Sequence, residues 1–201
     1  MNSFERSSGY CAIVAGVAGF LYSASFVLVA RSNASLGAGL AGFFLLLGAI
    51  NSIQALSALY RRTREVDAGF ALTALLFGFG GAFGAALHGA YDLANVIHPP
   101  TAAATDFASA MDPRGVATFG LAGLALLTFS RLIQKGTVLP RGLATLGYIS
   151  GVLLILTYLG RLIVLDANSL LLLAPAGLEG FIVNPVWYVW LGLALIRGRR
   201  A

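Results

Sequence analysis

Cysteine, histidine and charge are scarce in this chain, and each shortage removes a class of chemistry. The one cysteine, Cys11, excludes an intramolecular disulfide and any multi-cysteine metal or redox motif. It lies in an apolar run and reads as a small packing residue. The two histidines, His88 and His98, stand ten residues apart with a helix end between them, which matches no metal-ligand spacing even with Asp92 as a third ligand. Paired histidines on facing helices, the usual requirement for a membrane-bound haem, are lacking as well. Only 10% of the residues are charged. The net charge is +5, but the basic residues sit in short clusters beside apolar segments rather than along one polar face. They read as membrane-topology signals and not as a nucleic-acid surface.

What the chain has instead is apolar surface. With 58% hydrophobic residues and a mean hydropathy of +0.85, it carries more than a soluble domain of 201 residues can bury. The expectation is an all-helical integral membrane bundle forming one domain. A bilayer core about 30 Å thick needs about 20 apolar residues per helix. Six segments reach that length: 10–30, 36–60, 68–91, 115–133, 143–165 and 171–196. The apolar run of the first is too long for a signal peptide, so it reads as an anchor.

Six spans put both termini on one side. With that side cytoplasmic, the inside holds Arg6, Arg61, Arg62, Arg64, Arg131, Lys135, Arg141, Arg197, Arg199 and Arg200, ten of the thirteen basic residues. Arg31, Arg114 and Arg161 are left for the outside, where the loop 92–113 carries Asp92, Asp106 and Asp112 and no Lys or Arg. The positive-inside rule therefore predicts cytoplasmic termini and an extracytoplasmic loop 92–113, lying as a lid over the helix ends, in a multi-pass protein of the cell inner (plasma) membrane.

Helices in lipid gain association energy from close backbone approach, which small residues permit. The third segment, with FGFGGAFGAALHG, places Gly78, Gly81, Ala85 and Gly89 at three- and four-residue spacing and is expected at the centre of the bundle. Its glycines match no nucleotide fingerprint, which needs a preceding strand.

Ionisable groups at membrane depth are costly, so each is a functional candidate. At a rise of about 1.5 Å per residue from the inner helix ends, His88, Arg161 and Glu179 come to about 29, 27 and 26 Å, nearly one level close to the outer interface. Asp92 follows His88 at i+4, and Tyr91 at i+3, so one face of the third helix offers an imidazole with a carboxylate one turn above it. The predicted ligand-binding set is His88, Tyr91, Asp92, Arg161 and Glu179, with Arg161 and Glu179 as an interhelical ion pair and Tyr158 within reach. A purely structural role, locking the fifth helix to the sixth, competes with this reading. Asn51 and Gln54 predict interhelical hydrogen bonds in the inner half. Pro175 and Pro185 interrupt the last helix, whose Trp187 and Trp190 read as packing or lipid contacts. Ser150 has no histidine after it, as an intramembrane serine protease would require.

Leu139-Pro140-Arg141 leading into LATLGYISGVLLIL, followed by PVWYVWLGLALIR from Pro185 to Arg197, resembles a family of small multi-helix bacterial membrane proteins of unknown function. The resemblance covers the C-terminal half. It implies a single-domain membrane protein with no established activity, and it transfers no functional residue.

The expected function is a non-catalytic membrane protein that binds an apolar or amphipathic small molecule, or an accessory subunit of a membrane complex, with the outer cluster as its polar anchor. Its partners would be the lipid bilayer and either another membrane protein or a second copy. Two alternatives stay open. One is an enzyme acting on a lipid or quinone at the outer interface, with His88 as base and Asp92 orienting it. The other is a small-molecule transporter lined by Asn51, Gln54 and the broken last helix. The cofactor is left unassigned: a pigment needs little more than a cavity and one histidine.

Overall fold

In the computed structural model, which describes residues 3–99, 112–166 and 169–198, six helices are long and apolar enough to cross a membrane. They are α1 (Ser3–Ser32), α2 (Ala34–Thr63), α3 (Ala68–Ile97), α4 (Pro113–Lys135), α5 (Arg141–Val164) and α6 (Leu170–Arg197). No strand occurs among the described residues. At most 44% of any helix's most apolar window is buried against protein. Most of the apolar surface therefore faces outward, as in a multi-pass membrane protein and contrary to a soluble one.

Local chemistry sets the helix ends. Asn33 Oδ1 accepts the Leu36 N–H at 3.0 Å to start α2, and Asp67 Oδ1 accepts the Phe70 N–H at 3.0 Å to start α3. The α3 helix runs on to Ile97 and stops because His98 precedes Pro99, which disfavours the helical conformation; His98 has φ −130° and ψ 84°. The connection predicted at 92–113 is thus shorter, and Asp92 is helical. The predicted lid falls largely on residues 100–111, outside the described residues. The α1 helix starts at Ser3 rather than near 10, because a polar turn below the apolar run is held by Glu5, which pairs with Arg62 of α2.

Each helix packs beside the next in sequence, and α6 returns along α1 to close a ring. The close approach of Gly9 to Gly192 places the first turns of α1 beside the last turns of α6. Their shared side is called the terminal face, and the opposite side the distal face. The glycine pattern predicts a central α3, but α3 is an ordinary member of the ring between α2 and α4. Its glycines serve two neighbours: Gly89 meets α2, while Gly81 and Gly84 meet Ala122 and Ala117 of α4. At the α2–α3 crossing a Cβ on Gly42 would stand 2.7 Å from the Gly89 carbonyl oxygen, and one on Gly89 2.6 Å from that of Gly42. No residue larger than glycine fits on either side without a shift.

The ring is filled unevenly along its length. Among the described residues, the large side chains that are fully buried are Trp187, Phe129, Leu59, Leu132, Ile133, Leu143, Leu191 and Leu195. All belong to the half nearer the terminal face. Trp187 adds a polar tie there, its indole N–H donating to the Leu143 carbonyl at 3.1 Å. The buried residues of the distal half are mostly glycine, alanine and serine, with Leu154, Val183 and the polar Asp112, Thr157 and Glu179 among them.

Candidate functional site

The helix geometry also changes toward the distal face. Four of the six helices contain a π-helical turn: Ser25–Val29 in α1, Val116–Leu121 in α4, Gly160–Val164 in α5 and Glu179–Val183 in α6. Each lies in the distal half of its helix. Such turns insert a residue and re-aim side chains, and they recur at functional sites.

On α3 the predicted pair is in place. His88 Nε2 lies 3.7 Å from Asp92 Oδ2 across one turn, with the side chains 24% and 39% exposed. That separation is electrostatic contact and exceeds a hydrogen bond. The Gly42–Gly89 crossing fixes this stretch of backbone, since a Cβ on Gly42 would also come within 3.2 Å of Asp92 Cβ. Tyr91, half-buried, stands beside them.

Arg161 reaches the same level from the π turn of α5. Its Nε–H donates to the Arg114 carbonyl at 3.1 Å, and its guanidinium lies over the Phe119 ring, 5.5 Å from the centroid. The carbonyl is presented by a sharp bend, Arg114 with φ 56° and Gly115 with φ 82°. Glycine is needed at 115 twice over, because a Cβ would meet the Phe119 ring at 2.5 Å. Asp112, buried, holds the bend from the other side: it accepts the N–H groups of Ala117 at 2.6 Å and Thr118 at 3.0 Å, and the Thr118 hydroxyl at 2.7 Å. Arg161 therefore has a structural task, fastening the start of α4 to the end of α5. The predicted neighbour Tyr158 packs against Gly120 in the same seam.

One member of the cluster was missed. Tyr22 of α1 lies within electrostatic reach of both Arg161 of α5 and Asp92 of α3. Its only sequence signal was a tyrosine near the distal end of an apolar helix.

Glu179 does not join this group. The expected Arg161–Glu179 ion pair does not form: Glu179 is 5% exposed and its Oε1 accepts the Ser150 hydroxyl at 2.5 Å. Ser150 precedes Arg161 by eleven residues on α5, about 16 Å toward the terminal face. Residue counting gives equal levels only if the helix ends are flush, whereas α6 extends past the start of α5: Trp190 already packs on Gly142, and α6 continues to Arg197. In the terminal half Gln54 forms the predicted interhelical bonds, donating to Ser7 Oγ at 2.9 Å and accepting from Cys11 Sγ at 3.3 Å. Asn51 instead bonds within its own helix, to the Leu47 carbonyl at 2.9 Å.

His88, Tyr91, Asp92, Arg161 and Tyr22 thus form one distal group drawn from α1, α3 and α5, bearing both signs of charge, while Glu179 and Ser150 form a second, deeper one. Compared with known proteins, the chain matches no family model, no curated protein and no solved structure, so its function has to be read from these side chains.

Proposed function

We propose that the protein is a non-catalytic membrane protein that binds an amphipathic small molecule at its distal end. The polar head would sit among Tyr22, His88, Tyr91, Asp92 and Arg161, and the apolar part would enter between the helices. The observation that carries this reading is the uneven filling of the ring. Tyr22 of α1 lies within electrostatic reach of Asp92 of α3 and Arg161 of α5, in the half where, among the described residues, no large side chain is fully buried. An Arg and an Asp on different helices suit a zwitterionic or hydrogen-bonding head, and the apolar part would lie along the small residues of the helix faces. The His88–Asp92 contact, at 3.7 Å, is electrostatic rather than a hydrogen bond, so it supports a charged anchor for a head group more directly than an oriented general base.

We further infer that the termini are cytoplasmic in a bacterial inner membrane, which turns the distal group toward the extracytoplasmic leaflet. Arg61, Arg62, Arg131, Lys135, Arg141 and Arg197 cluster at helix ends on the terminal face, and this supports the assignment.

Native mass spectrometry with lipidomics on gently purified protein tests the reading, comparing wild type with His88→Ala/Asp92→Asn, which spares the structural bond of Arg161. A defined molecule retained by the wild type and lost by a variant of unchanged thermal stability is the expected result. Retention of the same bulk lipid by both would remove the proposal.

A further inference from the structure

The second group is independent of the distal one. Glu179 is buried between α5 and α6, and α5 turns the Ser150 hydroxyl onto its Oε1. Its other oxygen, Oε2, is enclosed without a hydrogen bond of good geometry, although the Asn184 side chain approaches the same carboxyl. No Lys, Arg or His among the described residues forms an ion pair with it. Tyr188, on α6 itself, is the titratable group in electrostatic reach, and its hydroxyl is directed to Ser52 of α2. The α1 helix presents Ser23 beside the neighbouring Gly180. An acidic group at membrane depth without a cationic partner is costly, which makes it a candidate functional site.

The backbone around Glu179 is open as well. Glu179 begins the π turn Glu179–Val183, whose carbonyl accepts from the Asn184 N–H, and Pro185 follows directly. Proline has no N–H, so a carbonyl of the preceding turn, at Gly180 or Phe181, loses its helical donor. Pro175, one turn before Glu179, lies inside the helix, which runs on through it, so the break expected there does not occur. A carboxylate with one oxygen left without a hydrogen bond, a hydroxyl and a side-chain amide thus meet at one negative charge, on a helix whose backbone frees a carbonyl in the turn that follows. That chemistry suits a small hard monovalent cation, which a buried carboxylate with neutral polar neighbours can take up and release. A divalent ion is not favoured, because no group of three acidic, His or Cys side chains occurs among the described residues.

We propose that Glu179, with Ser150 and Asn184, forms an exchangeable site for a monovalent cation, H⁺ or Na⁺, at the α5–α6 interface. This goes beyond the distal binding site and stands without it. The competing view is a fixed carboxyl pin that only ties α5 to α6.

Labelling with dicyclohexylcarbodiimide, an apolar reagent that modifies protonated carboxyls, separates the two on the wild-type protein in nanodiscs, with peptide mass spectrometry locating the adduct. The expected result is an adduct on Glu179 that forms faster as pH falls. Protection by NaCl and not by choline chloride at equal ionic strength identifies Na⁺, and pH dependence alone identifies H⁺. Ser150→Ala retains the carboxyl and is expected to weaken any sodium protection about tenfold. An unlabelled Glu179, or labelling that ignores both pH and Na⁺, overturns the proposal. Neither outcome bears on ligand retention at the distal group.

Discussion

Arg62 is 4% exposed and holds Glu5 through two parallel bonds, Nε to Oε1 at 2.7 Å and Nη2 to Oε2 at 2.8 Å. Its Nη1 is buried without a partner. Breaking such a pair strands a charge: Glu5→Gln is expected to cost about 3 kcal/mol, read from reversible unfolding in mixed micelles. Glu5→Leu combined with Arg62→Met removes both charges and should recover most of that loss. At this scale, sequence spacing captured what lies within one helix. His88 and Asp92 meet because i and i+4 share a face. Partners on different helices depended on register, which residue counting cannot supply. Arg161 was assigned Glu179 and found the Arg114 carbonyl, while Glu179 found Ser150. Tyr22 had no local pattern to mark it, since its neighbours come from helices two and four places along the ring.

The helices came out as hydropathy predicted except where polar residues extend them. The apolar window missed the first turns of α1, held by the Glu5 pair and by Arg61 over the Phe4 ring at 5.1 Å. It also missed the last turns of α3, which need only the absence of a breaker before Pro99. The π turns had no readable sequence signature, because an inserted residue leaves composition unchanged. Contacts between helices depend on small residues, and the Gly42–Gly89 crossing is the sharpest case. Gly89→Val forces a side chain into the Gly42 carbonyl. It is expected to cost at least about 1–3 kcal/mol and to shift the thermal unfolding midpoint downward, whereas Gly177→Ala, with open space around its Cβ position, is expected to be neutral.

For the whole molecule, helix number and antiparallel succession were legible because hydropathy is a one-dimensional signal. The closure of α6 onto α1 was not, since no local feature says which neighbour a helix returns to. Orientation has a direct test: green fluorescent protein fused after Ala201 is expected to fluoresce and alkaline phosphatase at the same point to be inactive. The opposite pattern would reverse the sidedness. The two halves of the bundle also differ in how firmly they are built. Among the described residues, the terminal half has the Glu5–Arg62 pair, the Gln54 bonds and every large fully buried side chain, and the distal half has the four π turns. Amide exchange in nanodiscs is therefore expected to be slower for 54–60 and 187–195 than for 25–29, 116–121 and 160–164.

A π turn holds one residue more than its helix requires, and that surplus can pass along the helix without unwinding it. Each step would swing the side chains it crosses by about 100°. Arg161 and Glu179 both sit in such turns, so each is mounted on a swivel. Passage of the surplus would turn them toward or away from the interior, Arg161 by releasing the Arg114 carbonyl and Glu179 by releasing Ser150.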